Sequence, residues 1–219
     1  MGSAEYRHAL QIWLGLVPDP LKTSGDKLTR RHHAVRDTLY DMAVAAGAHP
    51  YREAVIGEGA ERPADVLLPA WPNGRPLAVD VSFTHPTQSP TTVQARGGRT
   101  ASQCAVAARE RAKMDRYQNL CRDEEADFLP LVGCAFGGWS SGALAFLKLL
   151  SYRMAVRAAG PAALVHAANL RAISVVIWRE NARIGLGAAT APGGGAGAVG
   201  WAENVLDQTW DPWRGMLPR

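Results

Sequence analysis

Cysteine is scarce in this chain, and the three that occur, Cys104, Cys121 and Cys134, have neither an even count nor metal-ligand spacing. A disulfide framework and a structural zinc site are therefore unsupported, and buried reduced thiols are expected. Lysine is almost as rare. Lys22, Lys27, Lys113 and Lys148 are the only four, and the rest of the 24 basic residues are arginine. Each lysine position is worth inspecting for that reason. No apolar run reaches the roughly 18 residues a membrane span needs, so no membrane partner is expected. Met1-Gly2-Ser3-Ala4-Glu5 lacks the basic and apolar regions of a signal peptide, which points to an intracellular location, nuclear in a eukaryote.

What is present is enough for one substantial core: 219 residues, 47% of them apolar. The net charge of +4 and pI near 9.2 allow a nucleic-acid partner without requiring one.

The most informative segment is a pair of short apolar runs, Ala64-Asp65-Val66-Leu67-Leu68 and Leu77-Ala78-Val79-Asp80-Val81-Ser82-Phe83, around Asn73-Gly74. Asn-Gly between apolar runs signals a β-hairpin, because a type I′ turn needs two residues that tolerate positive φ. With that dipeptide as turn centre, Asp65 falls opposite Ser82 and Asp80 opposite Leu67. Any register shifted by an even number still leaves Asp65, Asp80 and Ser82 on one face. A carboxylate inside an apolar strand is costly to bury unless it is paired or bound to metal. The shared face therefore reads as a metal site, although an aspartate bonded to an amide or an arginine would look the same.

Helical spacing is expected over Tyr6–Val17, and again from Arg30 with apolar residues at Val35, Leu39, Met42 and Ala46, after a polar linker from Leu21 to Thr29. A first strand follows over Tyr51–Ile56. A Ser/Thr/Gln/Gly loop runs from Pro86 to Thr100. Then come a long helix over about Ser102–Cys121, a buried strand over Phe128–Phe136, and helices over Ser141–Ala158 and about Pro161–Ile184. Gly185–Gly200 is a Gly/Ala linker, and Trp201–Arg219 a tryptophan-rich tail. That order gives an α/β fold with a mixed sheet flanked by helices. The expected division is 1–29, a core over 30–136, a helical extension over 137–184, and 185–219.

Arg62-Pro63-Ala64-Asp65, then Asp80 on the next strand, then Lys113-Met114-Asp115-Arg116-Tyr117 on the following helix resembles the restriction-enzyme-like endonuclease domain of site-specific non-LTR retrotransposons. That domain belongs to the PD-(D/E)XK superfamily. In it the catalytic lysine has moved from the strand to the neighbouring helix, in a lysine-x-x-x-tyrosine pattern. The likeness covers about residues 30–136, and Arg179-Glu180-Asn181-Ala182-Arg183 also resembles reverse-transcriptase-associated forms. Two departures stand out: Ser82 occupies the position where the strict motif has lysine, and residues 18–30 contain no cysteine for a zinc knuckle.

The resemblance implies a Mg²⁺- or Mn²⁺-dependent DNA endonuclease acting for a mobile element, with a reverse transcriptase fused or associated. Asp65, Asp80 and the Val81 carbonyl would hold the ion, Lys113 would orient the attacking water, and Tyr117 would support the lysine or touch phosphate. Glu53, Ser82, His85, Asp37 and His33 form a second tier of site candidates, and Arg96, Arg99, Arg109 and Arg116 are candidate DNA contacts. The alternative is a nuclease fold that has lost catalysis and serves as a DNA-binding or protein-interaction module. The residues leave oligomeric state open.

Overall fold

The computed structural model of the chain describes residues 25–57, 62–84, 100–135 and 138–189. Its elements are α1 (Gly25–Ala45), β1 (Tyr51–Ala54), β2 (Ala64–Leu68), β3 (Leu77–Thr84), α2 (Ala101–Asp123), β4 (Asp127–Cys134), α3 (Ser141–Arg157) and α4 (Ala162–Ala189). The strands form one mixed sheet in the order β1-β2-β3-β4, with the first three antiparallel and β3–β4 parallel. The parallel pair needs a crossover, and α2 supplies it. The expected mixed α/β architecture is thus the observed one. Among the described residues no helix is long and apolar enough to cross a membrane.

Alternation along β3 divides the core. Val79 and Val81, with Val66 and Leu68 of β2, are buried against Val35 and Leu39 of α1, Leu147 of α3 and Ile173 of α4. Ala78 turns to the other face, packing with Cys121 of α2, Leu67 and Phe128. Period-two geometry therefore sends Asp80 and Ser82 toward α2, into the same layer as Ala78. A Thr100/Gln103 capping box starts α2, each side chain bonding the other's backbone N–H, which fixes where that helix begins over the sheet. Cys121 and Cys134 are buried free thiols and Cys104 is half-buried. Burial pushes the Cys121 thiol up to about 11.

The hairpin is correct in kind but not in register. Gly74 N–H donates to the Trp71 carbonyl at 2.8 Å and Trp71 N–H to the Arg75 carbonyl at 3.3 Å, so the turn centres on Pro72-Asn73, with Gly74 following at φ +79. Proline favours the second position of such a turn, and the αL glycine after it makes a three-residue loop. The ladder accordingly pairs Val66 with Val79, Leu67 with Ala78 and Leu68 with Leu77. Asp80 is not opposite Leu67, and Asp65 is not opposite Ser82. One further step in the observed register puts Asp65 across from Asp80. The shift is two residues, so the shared face survives it.

Two boundaries also differ. Residues 25–29, expected as linker, are helical, because α1 is anchored near its start: Arg30 pairs with Glu180 at 3.2 Å and Arg31 bonds Asn181 at 2.8 Å. At the other end α4 runs to Ala189, into the Gly/Ala segment expected to be a linker. The helix expected over Tyr6–Val17, most of the Pro86–Thr100 loop and the tryptophan-rich tail lie outside the described residues.

Gly133 of β4 is closely covered by two aromatic rings. A Cβ there would lie 2.9 Å from the Trp139 ring and 3.1 Å from the Phe83 ring. Gly133→Ala should therefore force both rings aside and cost about 1–3 kcal/mol by overpacking. Chemical denaturation measures this, and an unchanged midpoint would show that the rings yield freely.

Candidate active site

Strand β3 keeps pairing with β4 through Thr84, but its pairing with β2 ends at Val66–Val79. Beyond that point an antiparallel backbone partner is replaced by a side chain: Asp65 Oδ2 accepts the Val81 N–H at 2.6 Å. A backbone amide that would otherwise lack a ladder acceptor is satisfied this way. The strands open into a cavity of about 430 Å³ whose lining includes Asp65, Asp80, Val81, Ser82, Lys113 and Tyr117.

Asp80 sits at its base, 6% exposed. Lys113, just over three turns into the crossover helix, donates to Asp80 Oδ1 at 2.8 Å. The other oxygen, Oδ2, is buried with no hydrogen-bond partner. Desolvation holds the Asp80 carboxyl above the usual aspartate range, and the Asp65 charge adds to the rise; Lys113, by charge and hydrogen bond, and His32 oppose it. Burial outweighs the lysine. Tyr117, one turn beyond Lys113, presents its ring 5.3 Å from the Lys113 nitrogen and packs against Phe128 at 5.7 Å. The tyrosine ring thus neighbours both the lysine ammonium and Phe128 of β4. Arg109, one turn before Lys113, donates Nε to Ser82 Oγ at 2.9 Å.

The chain matches no protein-family model, no curated protein and no solved structure. Function must therefore be argued from the cavity itself.

The cavity gathers Asp65, Asp80, Val81, Ser82, Arg109, Lys113 and Tyr117, all expected at the site, and not the remaining described candidates. Glu53 sits on edge strand β1 and pairs with Arg36 and Arg62; Asp37 pairs with Arg36 and, at 3.3 Å, with Arg52. Their carboxylates are committed to a surface ion network. His33 is exposed beside His32, and Arg116 stacks over Tyr117 at 4.8 Å outside the lining. His85, Arg96 and Arg99 lie outside the described residues.

The lining also includes Thr29, Arg31, His32, Arg62, Phe83 and Thr84, none of them among the expected site residues. His32 replaces His33: its Nε2 is 3.1 Å from Asp65 Oδ1. Arg31 and Arg62 add positive charge to the wall. His32 lies three residues and Arg31 four before Val35, so the apolar stripe continued backwards points both inward.

Among the described residues no group of three or more His, Cys, Asp or Glu side chains could hold a metal ion. Mg²⁺ asks for less, since it keeps several waters and takes one or two carboxylates. Asp80 Oδ2 supplies a buried oxygen free of other bonds, whereas both Asp65 oxygens are engaged, one by His32 and one by Val81 N–H. The residues present fit such an ion only through this pair of carboxylates, and Asp80 would be the principal ligand.

A carboxyl whose pKa is raised on folding contributes stability that is lost as pH climbs from its ordinary 3.8 through the folded value. Asp80→Asn removes that loss. In EDTA at neutral pH the Asn protein should melt above wild type, at roughly 2–4 °C per kcal/mol for a chain this size. A lower melting temperature would mean that the Lys113 contact outweighs the burial.

Proposed function

We propose that the chain is a Mg²⁺- or Mn²⁺-dependent DNA endonuclease with a PD-(D/E)XK-type core, hydrolysing phosphodiester bonds in target DNA for a mobile element inside the cell, alongside a fused or associated reverse transcriptase. The observation that carries the reading is the pairing of a displaced lysine with a buried aspartate: Lys113 Nζ lies 2.8 Å from Asp80 Oδ1 while Asp80 Oδ2 is buried and unpartnered. An aspartate serving structure alone would be expected to use both oxygens. A lysine on the helix also answers the absence of one at position 82, where Ser82 instead bonds Arg109.

Asp80, Asp65 and the Val81 carbonyl would hold the ion, which supplies Lewis-acid polarisation of the phosphoryl oxygen and a water of lowered pKa. The protein's own contribution is position and charge. Lys113 gives one N–H to Asp80 and has two more donors, with which it can orient a water or a non-bridging phosphate oxygen. Tyr117 and Phe128 limit where that ammonium can swing. Asp65 holds the Val81 backbone, and so the strand that carries Asp80. Arg109 can meet the DNA backbone without reading bases.

Cleavage of a labelled duplex by variant proteins tests the reading. Asp80→Asn and Lys113→Ala should each lose at least about a hundredfold in rate, the scale of removing one charge-stabilising group. Lys113→Arg should recover little, because a planar fork does not replace a point charge. Wild-type rates from Asp80→Asn would overturn the assignment. Wild-type rates from Lys113→Ala would reduce Lys113 to part of a charged helix face.

A further inference from the structure

Helix α3 is apolar on two sides. Its inner face, with Phe146, Leu147, Leu150 and Met154, packs into the core. Ala145, Leu149, Tyr152 and Val156 are spaced four, three and four residues apart, which at the helical period makes one stripe on the outer side, away from the core. Tyr152 is 57% and Val156 62% exposed. A helix that is apolar all round belongs in a buried setting, so the outer stripe reads as a face that something covers. Lys148 and Arg153 flank it, one on each side.

Beside the stripe, Ala145 and Leu149 help line a groove of about 370 Å³ together with Trp71, Phe128 and Phe146. Arg153 stands over the Trp71 ring at 5.5 Å, which puts a cation at the groove. Asp127 also lines it, and pairs with Arg75 at 3.7 Å. No aspartate or glutamate occurs between Phe128 and Arg179, so α3 and most of α4 carry positive charge only. A second copy of this face would set Lys148 and Arg153 against their own like, which disfavours self-pairing.

The complementary sequence is in the chain itself. After Glu180 the only acids are Glu203, Asp207 and Asp211, which recur every fourth residue among Trp201, Val205, Leu206 and Trp210, with no base from Trp201 until Arg214. The tether is long enough. Asn169 of α4 donates to Ser151 Oγ of α3 at 2.8 Å and Asn181 to the Ala135 carbonyl, just before α3, so the two helices run antiparallel. Ser141 then lies across from about residue 179, and the last ten residues of α4 carry the chain about 15 Å beyond it. The glycine-rich residues 190–200 can reach at most about 36 Å, enough to bring Trp201 back to Ala145.

We infer that residues 201–211 dock on the outer face of α3 of the same chain, seating a tryptophan in the groove and setting their acids against Lys148 and Arg153. The mode is that of an amphipathic segment laid along an apolar groove, with charge fixing its register. No residue of α3 lines the Asp80 cavity, so the inference stands apart from the proposed reaction.

The scarcity of lysine makes the test specific, because Lys148 is the only lysine after Lys113. A carbodiimide added to the full chain joins a carboxylate to an amine in contact with it as an amide, the reagent taking up the water, and peptide mass mapping identifies the pair. Mixing ¹⁵N-labelled and unlabelled chains separates coupling within a chain from coupling between chains. The expected product links Lys148 to Glu203, Asp207 or Asp211 within one chain. It should fall several-fold in Tyr152→Glu, and likewise in about 1 M salt, where the screening length is about 3 Å. Coupling of Lys148 to these acids only between chains would make the occupant a second copy and overturn the inference, as would the absence of any such product. Hydroxyl-radical labelling gives a check independent of the coupling chemistry. Tyr152 should be labelled several-fold more in the full chain carrying Glu203→Lys, Asp207→Lys and Asp211→Lys than in wild type, and equal labelling would overturn the assignment.

Discussion

A carboxylate buried in a sheet and answered by a single lysine is the constraint around which the described part of this protein is arranged. Asp80 lies in the layer that also holds Ala78, where an ionised group is costly unless it has a partner. Lys113 meets only part of that cost, because burial still raises the Asp80 carboxyl despite the lysine. Replacing both groups with well-packed apolar residues would commonly be no worse for stability. The pair is therefore better explained by what its second oxygen can do than by what it adds to folding. The neighbouring geometry follows from it: α2 must cross the sheet so that Lys113 reaches Asp80, and β2 must leave β3 before Asp80 so that the cavity can open.

The peeling of β2 from β3 would normally strand backbone amides, and Asp65 is the residue that deals with this. Its carboxylate takes the Val81 N–H in place of a ladder acceptor, and His32 braces it from α1. One acid thus has both oxygens engaged and the other keeps an oxygen without a hydrogen bond, although both stand on the same face of the hairpin. The Arg30–Glu180 ion pair and the Arg31–Asn181 bond then clamp α1 to α4, and Arg183, one turn along α4, also pairs with Glu180.

Much of this was legible in the sequence, for identifiable reasons. The shared face of Asp65 and Asp80 depends only on the parity of the register, so it survived a turn centre misplaced from Pro72-Asn73 to Asn73-Gly74. Arg109, Lys113 and Tyr117 share a helix face at spacings of four, which local periodicity reveals without tertiary knowledge. Arg31 and His32 were harder to find, because charged residues at the head of an apolar stripe read locally as a solvated end, and the contacts that bury them come from residues about 150 and 33 positions away. Glu53 and Asp37 lie outside the cavity for the converse reason. They are acids close to the site in sequence order, but Arg36 and Arg52 draw them into a surface network. The start of α1 at Gly25 has a related origin, since Arg30 and Arg31, in a polar stretch of the sequence, are held by α4.

The central claim is that Asp80 keeps one buried oxygen for a divalent cation. Anomalous scattering from crystals of the wild-type protein soaked in Mn²⁺ tests it most directly. The account predicts a peak within coordination distance of Asp80 Oδ2, on the side of Asp65 and the Val81 carbonyl, that is absent from Asp80→Asn crystals. A well-ordered cavity with no peak, or manganese bound only elsewhere on the protein, would contradict it.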